Sequence, residues 1–173
     1  MQIANAFASQ NIFTVFNSNE EHIIQVKKSV DRLGLKHPFY VSNSSNIDNV
    51  LKQCKQNEIK VLIVDSLQTM GSGKLEPGNF KTMKSVTQKV IQYTKENFII
   101  SILIGHVNKN GSYGGPSGLK HLTDAHLHLD LCSNPNCIVC ECGTRMLNLE
   151  KFRFGVSNQP QQLFLMPQGF KKI

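Results

Sequence analysis

VLIVDSLQT, residues 61–69, is the stretch that decides the fold. Apolar residues run without a break from Val61 to Val64 and end on Asp65. A strand with one solvated face would alternate, so an unbroken run predicts a strand buried on both faces of a parallel sheet. FIISILI at 98–104 is a second run of this kind, and NIFTVF at 11–16 and a short strand at 39–41 precede them. Helical spacing fills the gaps: Ile23, Val26, Val30 and Leu33 within 20–33, then Ile47, Val50, Leu51 and Cys54, then Phe80, Met83, Val86, Val90 and Tyr93. QIANAFAS at 2–9 reads as a further helix with no capping residue before it. Strand and helix alternate four times. The order predicts an α/β fold, a mostly parallel sheet flanked by helices, with ligands beyond the carboxyl ends of the strands. Past Leu119, His126, His128 and Asp130 alternate with Leu127, Leu129 and Leu131, and 145–149 and 162–165 also read as strands. These predict an antiparallel C-terminal extension.

At 173 residues and 40% hydrophobic content the chain can bury one substantial core, and it is read as a single domain over 1–173. No stretch approaches the roughly 18 apolar residues of a membrane span, and no basic-then-apolar leader opens the sequence, so a soluble cytoplasmic protein is expected. The net charge of +7 fits two readings, a partner with a phosphate backbone or a merely solvated basic surface. Five cysteines, an odd count, argue for reduced thiols or metal ligation over a disulfide framework.

An apolar strand that delivers a carboxylate at its end has the geometry to hold a nucleotide's magnesium, and Asp65 is the candidate. An isolated run ending in Asp also suits a residue that caps a loop. The wider sequence bears on the choice: GHVNKNGSYGGPSGLKHLTDAHLHLD at 105–130 and LEKFRFG at 149–155, with NSNEEHIIQVKKSVDRLGL at 17–35 upstream. Together with VDSLQT these blocks resemble the bacterial RadA (Sms) family of recombination ATPases. That family carries GHVTKEG-like, KNRFG, SGEES and VIDSIQT segments in the same order, so the resemblance covers nearly the whole chain.

The resemblance implies a RecA-like P-loop ATPase core that uses ATP and Mg2+ and assembles as a homo-oligomeric, hexameric ring on single-stranded DNA. It places Glu20 as the residue that orients and deprotonates the attacking water, Asp65 on magnesium through water, and Gln68 and His106 as sensors near the γ-phosphate. Lys151 and Arg153 fall on the basic positions of KNRFG, which reach the neighbouring subunit's nucleotide. Here the motif reads KFRFG, so Phe152 removes the polar contacts of that Asn. The glycine-bearing loops at 71–79 and 107–118 match the loops that line the DNA channel, with Lys74, Lys81, Lys84, Lys109 and Lys120 supplying charge and Tyr113 a stacking face. Ordinary exposed loops have the same composition.

In the family a GxxGxGKS/T loop directly precedes the helix at 2–9; the sequence holds no such loop, and no other GK[ST] occurs downstream. The first strand, the zinc ribbon and the Lon-like domain are also lacking. The expectation is therefore a truncated core that binds ATP poorly alone and acts, or once acted, in branch migration on single-stranded DNA. The alternative is a catalytically silent DNA-binding or ring-assembly subunit. Cys132, Cys137, Cys140 and Cys142, spaced C-x4-C-x2-C-x-C, suit either a tetrahedral Zn2+ site or a plain hairpin with buried thiols.

Overall fold

The computed structural model describes residues 1–106, 118–131, 144–158 and 160–172. These fall into two compact units, Met1–Asp31 with Leu35–Leu122, and Arg32–Gly34 with Thr123–Ile173.

In the first unit the continuous apolar run becomes β3 (Val61–Asp65), and its four apolar residues are at most 2% exposed. Side chains alternate across a strand, so β3 feeds two cores. Leu62 and Val64 join Val15, Val50, Val86 and Val90 on one face, beneath α3 (Ile47–Gln56) and α4 (Phe80–Asn97). Val61 and Ile63 join Phe16 and Ala4 on the other, beneath α1 (Gln2–Ala8). Val26 and Val30 of α2 (Ile23–Arg32) line one hollow with Phe39 and Val41, which puts α2 on the α1 side.

The sheet is fully parallel, in the order β2-β1-β3-β4, with β1 at Thr14–Ser18, β2 at Tyr40–Ser42 and β4 at Ile100–Ile104. After β1 the chain steps outward to β2, then crosses back over β1 to add β3 and β4 on the opposite side. The order therefore reverses between β1 and β3.

Three element starts lie two or more residues further along than the sequence pattern predicts, each for a local reason, and β2 starts one residue later, at Tyr40. Asn11 has a left-handed backbone (φ 59°), and the Ile12 amide still donates to Phe7, so β1 cannot begin before that turn is complete. The Gln25 side chain accepts from the His22 amide at 2.9 Å, which starts α2 at Ile23 and leaves Glu20 outside it. Phe98 closes α4 in the left-handed region and is 94% exposed, so only from Ile100 does the run form β4.

The second unit is a four-stranded antiparallel sheet in sequence order: β5 (Ala125–Leu131), β6 (Thr144–Phe152), β7 (Gln161–Met166) and β8 (Gly169–Lys172). The antiparallel extension is thus present, with β8 added. Met166 pairs with Gly169 across Pro167 and Gln168, and Gly169 takes φ 102°, a conformation that favours glycine.

Alternation in β5 holds, with its faces in an unusual sense. Leu127, Leu129 and Leu131 are 56%, 42% and 68% exposed, whereas the His126 and His128 side chains are only 10% and 15% exposed. Glu150 of β6 lies between the two rings, 2.8 Å from His126 Nδ1 and 3.1 Å from His128 Nδ1, so the inward polar face brings its histidines within ion-pair distance of a carboxylate of the same sheet. Among the described residues no helix is long and apolar enough to cross a membrane.

Candidate functional site

In an open α/β sheet the strand ends splay where the order reverses, leaving a crevice in which ligands sit. Here that crevice opens beyond β1 and β3. Register pairs Ser18 with Asp65, and the Asn19 amide extends the ladder to the Asp65 carbonyl at 3.2 Å. Glu20 follows at once, so two carboxylates leave neighbouring strand ends together. Asn17 and Asn19 brace the β1 end from below: Nδ2 of Asn17 donates to the Ser44 carbonyl at 3.2 Å, and Nδ2 of Asn19 to the Thr69 carbonyl at 3.3 Å.

Glu20 Oε1 accepts from Ser66 Oγ at 2.6 Å and lies 2.9 Å from His106 Nε2. Ser66 stands directly after β3 and His106 just after β4, so donors from two strands meet on the carboxylate that β1 delivers. The Ser66 bond, then the His106 bond, hold the Glu20 carboxyl below its ordinary pKa by favouring the charged form. Gln68, in a single 3-10 turn over Leu67–Thr69, donates from Nε2 to the His106 carbonyl at 3.1 Å. The Asp65–Ser66 peptide is cis.

Asp65 is in the opposite state. Burial first, and the Glu20 charge second, push its carboxyl above the usual range. A half-buried carboxylate beside another gains by meeting a cation, and its two oxygens are the hard donors that Mg2+ prefers. The residues therefore fit a hydrated magnesium ion held by Asp65.

Glu20, Asp65, Gln68 and His106 are thus brought together. Lys151 and Arg153 stand in the second unit, each already engaged there. Lys151 Nζ donates to the Thr123 carbonyl at 2.6 Å, and Arg153 pairs with Asp124 at 2.6 Å. Lys74 is exposed on the first loop, and Lys81 and Lys84 lie exposed on the first turns of α4, whose first turn holds no acidic residue. Those lysines oppose the helix dipole and concentrate positive potential at that end of the helix. Lys120 is partly buried on α5 (Gly118–Leu122). Lys109, Tyr113 and the four cysteines Cys132, Cys137, Cys140 and Cys142 lie outside the described residues, among which no group of three or more ligating side chains suits a metal.

Sequence reading passed over Ser66. Its only signal is a small hydroxyl residue straight after the strand-end aspartate, which gains meaning once β1 is known to lie beside β3.

Among solved structures, the fold is similar to a KaiC-like protein from the hyperthermophilic archaeon Pyrococcus horikoshii, with a TM-score of 0.73 at 17% identity over 99% of this chain and 80% of that one. It is also similar to a DnaB-like replicative helicase, with a TM-score of 0.81 at 9% identity over 98% of this chain and 52% of the other. These likenesses, with the strand order, define a RecA-like α/β core. No family model matches the chain. By sequence it is a homologue of the bacterial DNA repair protein RadA. All of it aligns with RadA of Chlamydia pneumoniae at 31% identity and RadA of Mycobacterium tuberculosis at 29%. The chain spans 37% and 36% of the length of those two relatives.

Proposed function

We propose that this chain serves as the nucleotide-hydrolysing core of a RadA-type DNA repair ATPase. The observation that carries this reading is the arrival of Glu20 and Asp65 on adjacent strand ends at the point where the sheet order reverses, with Glu20 bonded from Ser66 and His106. In this reading Glu20, ionised and with one oxygen held, orients a water and takes its proton as the water attacks the terminal phosphate. Asp65 holds the hydrated magnesium, which neutralises phosphate charge when bound. His106 and Gln68, linked through the His106 carbonyl, sense whether the terminal phosphate is present. Lys151 and Arg153 would exchange their carbonyl and carboxylate partners for a neighbouring subunit's nucleotide in a ring, where such cations stabilise charge in the transition state.

Lys74, Lys81 and Lys84 support contact with single-stranded DNA, and the RadA homologues, DNA repair proteins by name, support a role in DNA repair, within which the reading here is branch migration on single-stranded DNA. A second reading is a silent DNA-binding or ring-assembly subunit, which the exposed basic residues Lys74, Lys81 and Lys84, on the loop before α4 and on its first turns, also fit.

The test is binding and turnover of Mg-ATP by the purified chain, with and without an added GxxGxGKT loop, in the parent and in Glu20→Gln. General-base loss should lower turnover about 10²- to 10⁴-fold while a fluorescent ATP analogue still binds. Absence of binding in both forms, alongside a salt-sensitive DNA shift, would refute the hydrolytic reading and favour the silent subunit.

A further inference from the structure

We propose that Ser66 is a positioning residue for Glu20, fixing Oε1 so that Oε2 faces the attacking water; this rests on Glu20 being the base. Glu20 belongs to neither a helix nor a strand, and its side chain is 39% exposed, so its own backbone does little to fix its rotamer. Two donors constrain it instead, and they differ in kind. Ser66 is fully buried, carries no charge and cannot titrate, and its Oγ lies 2.6 Å from Oε1. His106 is 57% exposed on its side chain, and its role on the same oxygen depends on tautomer and protonation. Ser66 is therefore the constant anchor and His106 the variable one.

Both bonds fall on Oε1, and Oε2 has no protein donor among the described residues. A carboxylate so held has one oxygen committed and one available, the arrangement a water-directing base needs. The charged groups around the neighbouring Asp65 are Glu20, His106, the Met1 α-amino group and Glu21. The carboxylates donate no hydrogen bond when ionised, and the Met1 amino group acts on Asp65 and Glu21, whereas the groups acting on Glu20 are Ser66 and His106. The downward shift of the Glu20 carboxyl, with Ser66 its largest cause, agrees with the geometry.

The experiment is a 13C carboxyl NMR titration of Glu20 in the full chain, for the parent, Ser66→Ala and Ser66→Cys, with Mg-ATP turnover measured alongside. Loss of the hydroxyl should raise the Glu20 titration midpoint. The thiol, close in size and a weak donor, should give an intermediate value and keep the comparison usable if the alanine variant does not fold. In turnover, Ser66→Ala should lower kcat about tenfold to hundredfold with KM unchanged and move the acid limb of the pH profile upward. An unchanged Glu20 midpoint in the variants that fold overturns the proposal, as does a change in KM alone. A shifted midpoint in a parent chain that never turns over ATP upholds the Ser66 contact and overturns the hydrolytic role of the site.

Discussion

Leu62 and Leu127 are the same residue type in very different surroundings, and replacing each by alanine measures the difference. Leu62 is fully buried on the central strand β3, between β1 and β4 and among Val15, Val50, Val86 and Val90. With cover from strands and helices the site cannot collapse, so Leu62→Ala should lose about 2–5 kcal/mol, transfer and cavity terms together. Leu127 is 56% exposed, so less than half of its side chain's transfer energy is at stake and Leu127→Ala should cost about 1 kcal/mol or less. The sequence has no Trp, so urea unfolding is best followed by circular dichroism, with amide NMR signals assigning each transition to its unit. With a slope of about 1–3 kcal/mol per molar urea, the first variant should lower the midpoint by about 1 M or more and the second by a few tenths. Equal losses would mean that the leucines of β5 are buried and its histidines exposed, which would refute the inverted alternation.

Asp65→Asn should stabilise the fold at neutral pH. The raised Asp65 pKa means that the folded state binds its proton more tightly than the unfolded chain does, so ionisation costs stability. The gain should be absent at pH values below the ordinary carboxylate range and should grow as pH rises through the folded value, seen as a pH-dependent gap between the unfolding midpoints. Asp48 has the opposite sign: its bonds from Lys89 at 2.5 Å and from the Gly73 amide at 2.8 Å hold its pKa down, so their contribution is present above the unfolded pKa and is lost as pH falls through the lowered one. Asp48→Ala should cost about 1 kcal/mol or less and speed hydrogen exchange at Gly73. Cys54 is 1% exposed and burial pushes its thiol up to about 12, so peptide mapping after alkylation at pH 8 should find it unmodified until the protein unfolds.

The parallel sheet was legible because Val61–Val64 are apolar without alternation, as two-sided burial requires. The run at 98–104, interrupted by Ser101, forms the edge strand β4, which is only partly buried, with Ile100 half-exposed, so the same reading overstated its burial. Strand boundaries were less legible. Asn11 and Phe98 both take left-handed backbones, and nothing in a hydropathy pattern marks the residue at which a turn ends. Glu20 and Asp65 could be singled out individually, but their proximity depends on β1 and β3 being neighbours, a property of strand order that the local pattern does not contain. The same holds for Ser66, which matters only through a residue far away in sequence. In β5 the pattern showed two faces correctly and left open which was inward, because a histidine face bridged by Glu150 is as easily buried as a leucine face.

The adjacency of β1 and β3 also decides where the chain tolerates change. The spacing of Glu20 from Asp65 is set by one step across a hydrogen-bonded ladder, not by the length of polypeptide joining them. The exposed turn at 36–38 can therefore be lengthened while the two carboxylates stay in place, whereas the turn at 57–60 carries the buried Ile59 and tolerates less. A single residue inserted between Thr14 and Ser18 has the reverse effect: every side chain beyond it changes face, and Glu20 leaves the crevice. The site is modular with respect to its loops and brittle with respect to one strand of five residues.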